Sequence, residues 1–509
     1  MRTLALKRRR DIWRQKWQYV AVLVAVVLGV AMFAGTFNAY LNLGDSLEGS
    51  YDRLRMADMT VSGAAEGFGD EVAAIDGVET VMERRRADVP FEVGEFTFVG
   101  RVIGMPAEGE PALNRIDIDE GSGLDPDEPM GVVVETHAAS DFDLVVGDTF
   151  EIVGQEVSVV GIATSPEYLW PARDRQSIFT PPKSFGVVFA DDAMLDGLDA
   201  GTIVEQHLVR YGDDADREAV DAAVEAAAEA AQAADVERLE DQPSNATINL
   251  EIDALSTIAI ALPVLFLAAA GMAIYVVVTR LVLAQRGIIG TLRATGFSRR
   301  TMSTHYLLYG LGVGLLGAAV GALLGGLLAR AMTAVYTAIF GIPDLVAEFH
   351  APTVLIALAF GGVAGVLAGV PPARAVARLA PAEAMRGDAP AEGGRRSLLE
   401  RLIPPLRHAP VRWRMSVRGI GRNKRRSASL VVGVVLGMTL ILASWGMIDT
   451  MLGGIDRQFN EVAIEDATIV FTEPVTEPVL DAVASTPGVS HVEPVIGLQA
   501  TIRAGDESY

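Results

Sequence analysis

Apolar and polar residues fall into long blocks along this chain, and five apolar blocks are long enough to cross a bilayer. They run over Tyr19–Leu41, Leu255–Thr279, Tyr306–Ala329 with an extension towards Ile342, Thr353–Val370 and Leu430–Ile448. Each approaches the ~20 residues that a ~30 Å hydrocarbon core demands of a helix. With their flanking turns they predict spans at 19–41, 255–279, 303–340, 352–372 and 429–449. The first run is too long for a signal peptide and no small-residue cleavage site closes it, so an uncleaved anchor is expected.

The polar blocks between the spans set an orientation, because short cytoplasmic flanks are rich in Lys and Arg. Arg2, Lys7, Arg8, Arg9, Arg10, Arg14 and Lys16 precede the first span, which puts the N-terminus inside. Residues 1–18 then read as an amphipathic helix on the inner leaflet, with Trp13, Trp17 and Tyr19 at the interface. Gly341–His350 carries Asp344 and Glu348 but no Lys or Arg, so it faces outside. The linker at 373–428 is densely basic from Arg374 to Arg426 and faces inside. Residues 44–253 are therefore outside, and their pattern is mixed α/β. Ala57–Ser62, Gly77–Met82, Val132–Glu135, Phe150–Val153 and Val157–Ile162 read as strands, and Phe68–Ile75 as a short helix. Pro106–Pro129 is rich in turn residues, and Arg217–Ala234 is a strong helix former.

Charge sharpens this division. The formal net charge is −23, and 47 Asp and Glu against 13 Lys and Arg lie between Asp45 and Asp253. That exported surface repels nucleic acid and anionic headgroups. There is no cysteine, and the six histidines have no metal-ligand spacing, so no metal site is expected. A phosphate-cradling loop needs lysine after glycine. Lys7, Lys16, Lys183 and Lys424 are the only lysines and none follows glycine, so this chain cannot hold ATP in that way. No nucleophile cluster marks a catalytic site. No ionisable group interrupts the middle of a span as an ion or proton relay would require.

Two segments carry the candidate chemistry. Residues 280–302 bear Arg280, Arg286, Arg293, Arg299 and Arg300 between two spans, with Ile288, Ile289 and Leu292 at helical spacing. A short helix along the inner membrane surface is predicted, with Ile289 and Leu292 on one side, free to seat in a partner's groove. The third span carries Gly310, Gly314, Gly317, Gly321 and Gly325, small-residue faces that let helix backbones approach closely. They fit packing within the chain or a seam between copies or halves. Pro263 fits a kink or a tolerated membrane proline. Glu167–Trp170 fits an exposed aromatic loop or a buried turn, and Asn245-Ala-Thr247 matches a glycosylation triplet.

The chain also repeats itself at an offset of 408 residues: Val26-Val-Leu-Gly29 recurs as Val434-Val-Leu-Gly437, and Asp58-Met-Thr-Val61 as Asp466-Ala-Thr-Ile469. A second half is thus expected to begin near Val411. Residues 455–509 read as the start of a second, incomplete exported domain, as in a fragment of a longer protein.

Arg286-Gly-Ile-Ile289-Gly290-Thr-Leu292-Arg293-Ala-Thr-Gly296-Phe-Ser298-Arg299-Arg300 closely resembles the cytoplasmic coupling segment of FtsX-like and MacB-like ABC transporter permeases. It departs from their pattern at Ile288, where an acidic residue is usual. Val132–Ile162 resembles the MacB-like periplasmic core domain, and Pro371–Arg386 and Arg418–Arg426 resemble segments that close one half and open the next. The resemblance implies a helical membrane bundle with a large mixed α/β extracytoplasmic core domain at 44–253. It implies a non-catalytic permease subunit whose Arg286, Ile289, Gly290, Leu292, Arg293 and Gly296 couple to a cytoplasmic ABC ATPase dimer. ATP and Mg would reside on that partner, with no cofactor on this chain. Export or extraction of a lipid, lipoprotein or peptide-like substrate across the plasma membrane is the implied activity. The alternative is signal transmission to an extracytoplasmic protein partner without transport. The other expected partners are the bilayer and a second permease half or copy.

Overall fold

The structure is a computed structural model that describes residues 2–106, 108–174, 182–198, 203–378, 424–462 and 476–495, with a few isolated positions besides. Most of the basic linker and of the expected second exported domain lies outside the described residues.

Among the described residues, five helices are long and apolar enough to cross a membrane: α2 (Lys16–Arg53), α7 (Pro243–Ala284), α9 (Arg299–Phe340), α10 (Ala351–Arg378) and α11 (Lys424–Arg457). The first four form a bundle, preceded by the short helix α1 (Arg2–Arg14). The glycines of α9 explain how the bundle closes. A Cβ at Gly310 would lie 2.6 Å from the Gly365 carbonyl oxygen of α10, and one at Gly314 would overlap the Gly361 carbonyl oxygen. One turn further along, the stripe changes partner. A Cβ at Gly321 would lie 2.8 Å from the Val27 carbonyl oxygen, and one at Gly325 would lie 2.6 Å from Ala34 Cβ, both on α2; Gly317 meets Val26 in the same way. The five glycines thus serve two intramolecular seams, as close backbone approach requires. Pro263 lies inside α7, which continues through it. The α11 helix lies against α7 with Gly433 near Met272, and Gly437 has no neighbour where its repeat counterpart Gly29 meets Phe266.

Between α2 and α7 the chain builds a ten-stranded mixed sheet. Its strands are β1 (Met59–Ser62), β2 (Val78–Val93), β3 (Phe96–Met105), β4 (Asp117–Gly121), β5 (Gly131–Glu135), β6 (Thr149–Ile152), β7 (Gln155–Thr164), β8 (Phe185–Asp191), β9 (Ile203–Tyr211) and β10 (Asp235–Arg238). The order is β10-β1-β9-β2-β3-β8-β5-β7-β4, with β6 against β2 and β7. The β3–β8 and β5–β7 pairs are parallel; the others are antiparallel. Helices α3 (Phe68–Ala73), α4 (Thr136–Phe142), α5 (Asp192–Gly197) and α6 (Arg217–Ala230) complete the domain. Val220, Val224, Ala227 and Ala228 form the buried stripe of α6, which packs on β1 and β9 through Val61 and Val209. Sequence pattern missed β3, β8, β9 and β10, and placed only turns where β4 forms.

The domain is fastened to the outer ends of the helices by polar contacts. Arg84 on β2 donates two 2.6 Å hydrogen bonds to Glu167 in the β7–β8 connection, and both groups are buried. The Glu167 carbonyl accepts from the Gln242 side chain, which also caps α7 by accepting from Asn245 N at 2.8 Å. Ser244 Oγ accepts from Trp170 N, and Tyr51 of α2 donates to Asn245 Oδ1. Tyr168 and Leu169 are buried, so this loop is a packed joint. Asn245 is buried and its amide nitrogen donates to the Leu239 carbonyl, which leaves the glycosylation triplet unavailable in the folded chain. The loop from α9 to α10 straps the same region: Arg53 bridges Asp117 and Asp344, Ser46 Oγ accepts from Val346 N, and Asn42 pairs with His350.

Two outcomes follow from this packing. Gly314→Val should cost at least the ~1–3 kcal/mol of an overpacked core, because the obstacle is backbone. Gly312→Val, which has open space around it, should be tolerated. Thermal stability of the purified chain in detergent compares the two. Arg84→Leu strands a buried carboxylate and should cost ~3–5 kcal/mol near neutral pH. Burial pushes the Glu167 carboxyl up, but the Arg84 charge and hydrogen bonds outweigh it and hold its pKa below the usual range. Its stabilisation is therefore complete above the unfolded value of about 4.3 and lost as pH falls through the lower folded value. The melting gap between wild type and Arg84→Leu should narrow as the pH is lowered from about 7 to about 3.

Candidate coupling site

The end of the bundle away from the sheet is where the chain turns from α7 into α9. One residue, Gln285, ends α7 and starts α8 (Arg286–Ala294). At the other end Thr295 caps α8, and Gly296 turns the chain at φ +103°, a conformation that disfavours a side chain. Ser298 then caps α9 by accepting from Thr301 N at 3.1 Å. The result is a short helix pinned between two sharp turns, as the basic amphipathic stretch predicts.

Its orientation differs from the expected one. Ile289 is fully buried with Leu4, Val278, Leu281, Met302 and Tyr306, and Leu292 packs partly against the same cluster. These two residues fasten α8 to its own bundle and do not present a free outer face. Gly290 is buried as well, while Arg286 and Arg293 are half-buried. The outward face instead shows Gly287, Ile288, Thr291, Ala294 and Thr295, with Gly296, Arg299 and Arg300 beyond it. Ile288, where an acidic residue is usual in the resembled pattern, is the large apolar side chain of that face, 49% exposed.

A polar cluster that sequence reading missed sits behind α8. Gln285 Oε1 accepts from Lys7 Nζ at 2.5 Å and from Tyr306 OH at 2.8 Å. Lys7 also donates to Asp11 Oδ2 at 2.7 Å, and Tyr309 OH donates to the same oxygen at 3.1 Å. The His305 ring stands edge-on to both tyrosines. Burial works against the Asp11 carboxylate, but hydrogen bonds from Lys7, Gln285 and Tyr309 and the Lys7 charge outweigh it and lower its pKa. One signal was available: Asp11 is the only acidic residue among the first 18, four residues after Lys7.

Two stretches of the chain match known families. Residues 20–227 match the MacB-like periplasmic core domain family, and residues 260–381 match the FtsX-like permease C-terminal family. Two of the solved structures that are similar at low identity are exported domains. The periplasmic region of MacB from Actinobacillus actinomycetemcomitans is 12% identical over 40% of this chain and 98% of that one, with a TM-score of 0.25. The extracellular domain of the noncanonic ABC-type transporter YknZ from Gram-positive bacteria is 14% identical over 31% of this chain and 78% of that one, with a TM-score of 0.22. No curated protein matches the chain. A MacB-like core domain inserted between the first two membrane helices, followed by an FtsX-like permease region, assigns the chain to the FtsX/MacB-like ABC transporter permeases.

Proposed function

We propose that this chain receives the stroke of a separate cytoplasmic ABC ATPase at α8 and carries it to the exported domain through α7 and α2. The continuity of α7 carries this reading. It runs 42 residues without a break, from the joint at Gln242 and Glu167 to Gln285 at α8. At 1.5 Å per residue that is about 63 Å, twice the ~30 Å thickness of the hydrocarbon core. One continuous helix, with Pro263 inside it, therefore begins beside the α8 surface and ends against the sheet. The 38-residue α2 runs beside it and is tied to it by Tyr51 and Asn245.

The bundle interior favours transmission over conduction. Val26, Val30, Phe33, Ala270, Ile274, Ala318, Ala322 and Ala357 fill the space between α2, α7, α9 and α10. A lipid, lipoprotein or peptide-like cargo would then be handled outside this bundle, by the exported domain and its surroundings. The reading without cargo, in which the domain activates an extracytoplasmic protein, uses the same stroke. ATP and Mg belong to the ATPase in both. The positive-inside pattern supports a cytoplasmic α1 and α8 in the plasma membrane.

The docking surface is the outward face of α8, centred on Ile288 and Thr291. Burying an isoleucine is worth ~1.5–3 kcal/mol, so Ile288→Asp should weaken association with the ATPase by well over tenfold. Ile289→Asp should instead destabilise the bundle. Co-purification and permease-stimulated hydrolysis are the measurements, and undiminished binding by a correctly inserted Ile288→Asp chain would remove the assignment. Topology is checked separately. In this cysteine-free chain, a cysteine at Glu120 should react with an impermeant maleimide on intact cells, and one at Thr291 only after permeabilisation. The reverse pattern would invert the orientation.

A further inference from the structure

The helix α1 would need no polar contact with the bundle if it only rested on lipid. The junction of α1 with α2 does suit an interface: Trp13 on α1 and Trp17 on α2 are exposed, with the Lys16 ammonium 5.3 and 5.6 Å from their ring centres. The opposite side of α1 is built into the protein. Leu4 is buried in the cluster that holds Ile289, and Ile12 packs on it. Lys7 and Asp11, one turn apart, reach Gln285 and Tyr309.

Gln285 is the single residue between α7 and α8, with φ −102° and ψ 14°. The helical ladder reaches Gln285 from one side, where Gln285 N donates to the Leu281 carbonyl, and resumes on the other, where Ile289 N donates to the Gln285 carbonyl. The backbone alone therefore resists bending poorly at this one point. What fixes the angle is the side chain, gripped by Lys7 from α1 and by Tyr306 from α9. Lys7 is in turn held by Asp11, and Asp11 by Tyr309. Every link but the Tyr306–Gln285 contact passes through α1. The cluster is partly shielded from water, which strengthens its charge-assisted hydrogen bonds and raises the cost of a broken one.

We propose that α1 is a working part of the coupling site, its Lys7–Asp11 pair gripping Gln285 so that α8 and α7 move as one lever. Lys7 and Asp11 are positioning residues in this arrangement and touch no ATPase. With the grip released, force applied at the outward face of α8 flexes the joint at Gln285 before it reaches α7. The proposal rests on the coupling role of α8 set out above.

The test uses the full chain in lipid nanodiscs, alone and with its ATPase. Spin labels on cysteines at Arg10 and Thr295, both exposed, report the α1–α8 distance. Wild type should give one narrow distribution, and Asp11→Asn and Lys7→Met should broaden it. In the same variants, stimulated hydrolysis should fall at least about fivefold at saturating ATPase, while the apparent affinity for the ATPase changes less than about twofold. Asp11→Glu should restore most of the stimulation, and Arg14→Ala, on the exposed side, should leave it unchanged. Adding Gln285→Leu to Asp11→Asn should cost little more, because both break one chain of contacts. An unchanged distance distribution, or full stimulation despite a broadened one, would overturn the proposal. Absence of stimulation by wild type would instead remove the coupling reading, and the distances would still decide whether α1 positions α8.

Discussion

A backbone crossing lipid must satisfy its own hydrogen bonds, and this chain keeps to that rule well beyond the membrane. The α7 helix stays a single rod from the sheet domain to α8, long after solvent would have permitted a turn. A break on the outer side would have uncoupled the domain from the bundle. What prevents one is the joint of Gln242, Asn245, Ser244 and Glu167, which caps the helix and holds the sheet in the same set of contacts. Arg84 anchors that joint to β2, in the middle of the sheet.

The contacts along the rod differ in kind. At the outer end they are directional: ion pairs and hydrogen bonds join Arg53, Tyr51, Asn42 and Ser46 to loops and to α7. At the α8 end they are directional again, through Gln285. Between these ends α9 meets α2 and α10 through glycine and alanine, where close contact gives attraction without specific bonds. The middle of the bundle is thus held by close packing, and its two ends by directional contacts.

How much of this was legible in the sequence depends on which signal each element carries. The spans announce themselves because lipid demands apolar side chains. The extension of α7 over Pro243–Ala254 does not, since PSNATINLEIDA is half polar and its buried positions face α2, the joint and the end of α9. Strand β2 was legible only at its start, because Glu83-Arg-Arg-Arg86 and Asp88 hide the alternation. Those charges are paired across the sheet, Arg84 with Glu167, Arg85 with Asp192 and Asp88 with Arg101, pairings that exist only once distant segments meet. The helix α8 was legible as a helix, but its apolar residues fit both an inner and an outer face. Periodicity places residues on a face without saying what covers it, and here Ile289 is covered by the chain itself.

Gln285 shows a further limit. Its neutral side chain carries no charge or hydrophobic signal, and nothing in composition marks it. Its weight comes from where it stands, at a one-residue helix junction within reach of an ammonium group and a phenol. The Lys7–Asp11 pair alone, four residues apart on one helix, reads as an ordinary surface pair worth a few tenths of a kcal/mol. Enclosure by Tyr306, Tyr309 and His305 changes that value, because a partly desolvated charge pair has lost the water that would replace a broken contact. The same two residues would mean little at an exposed position. Behind α8 they join the first helix of the chain to the point where the second membrane helix turns.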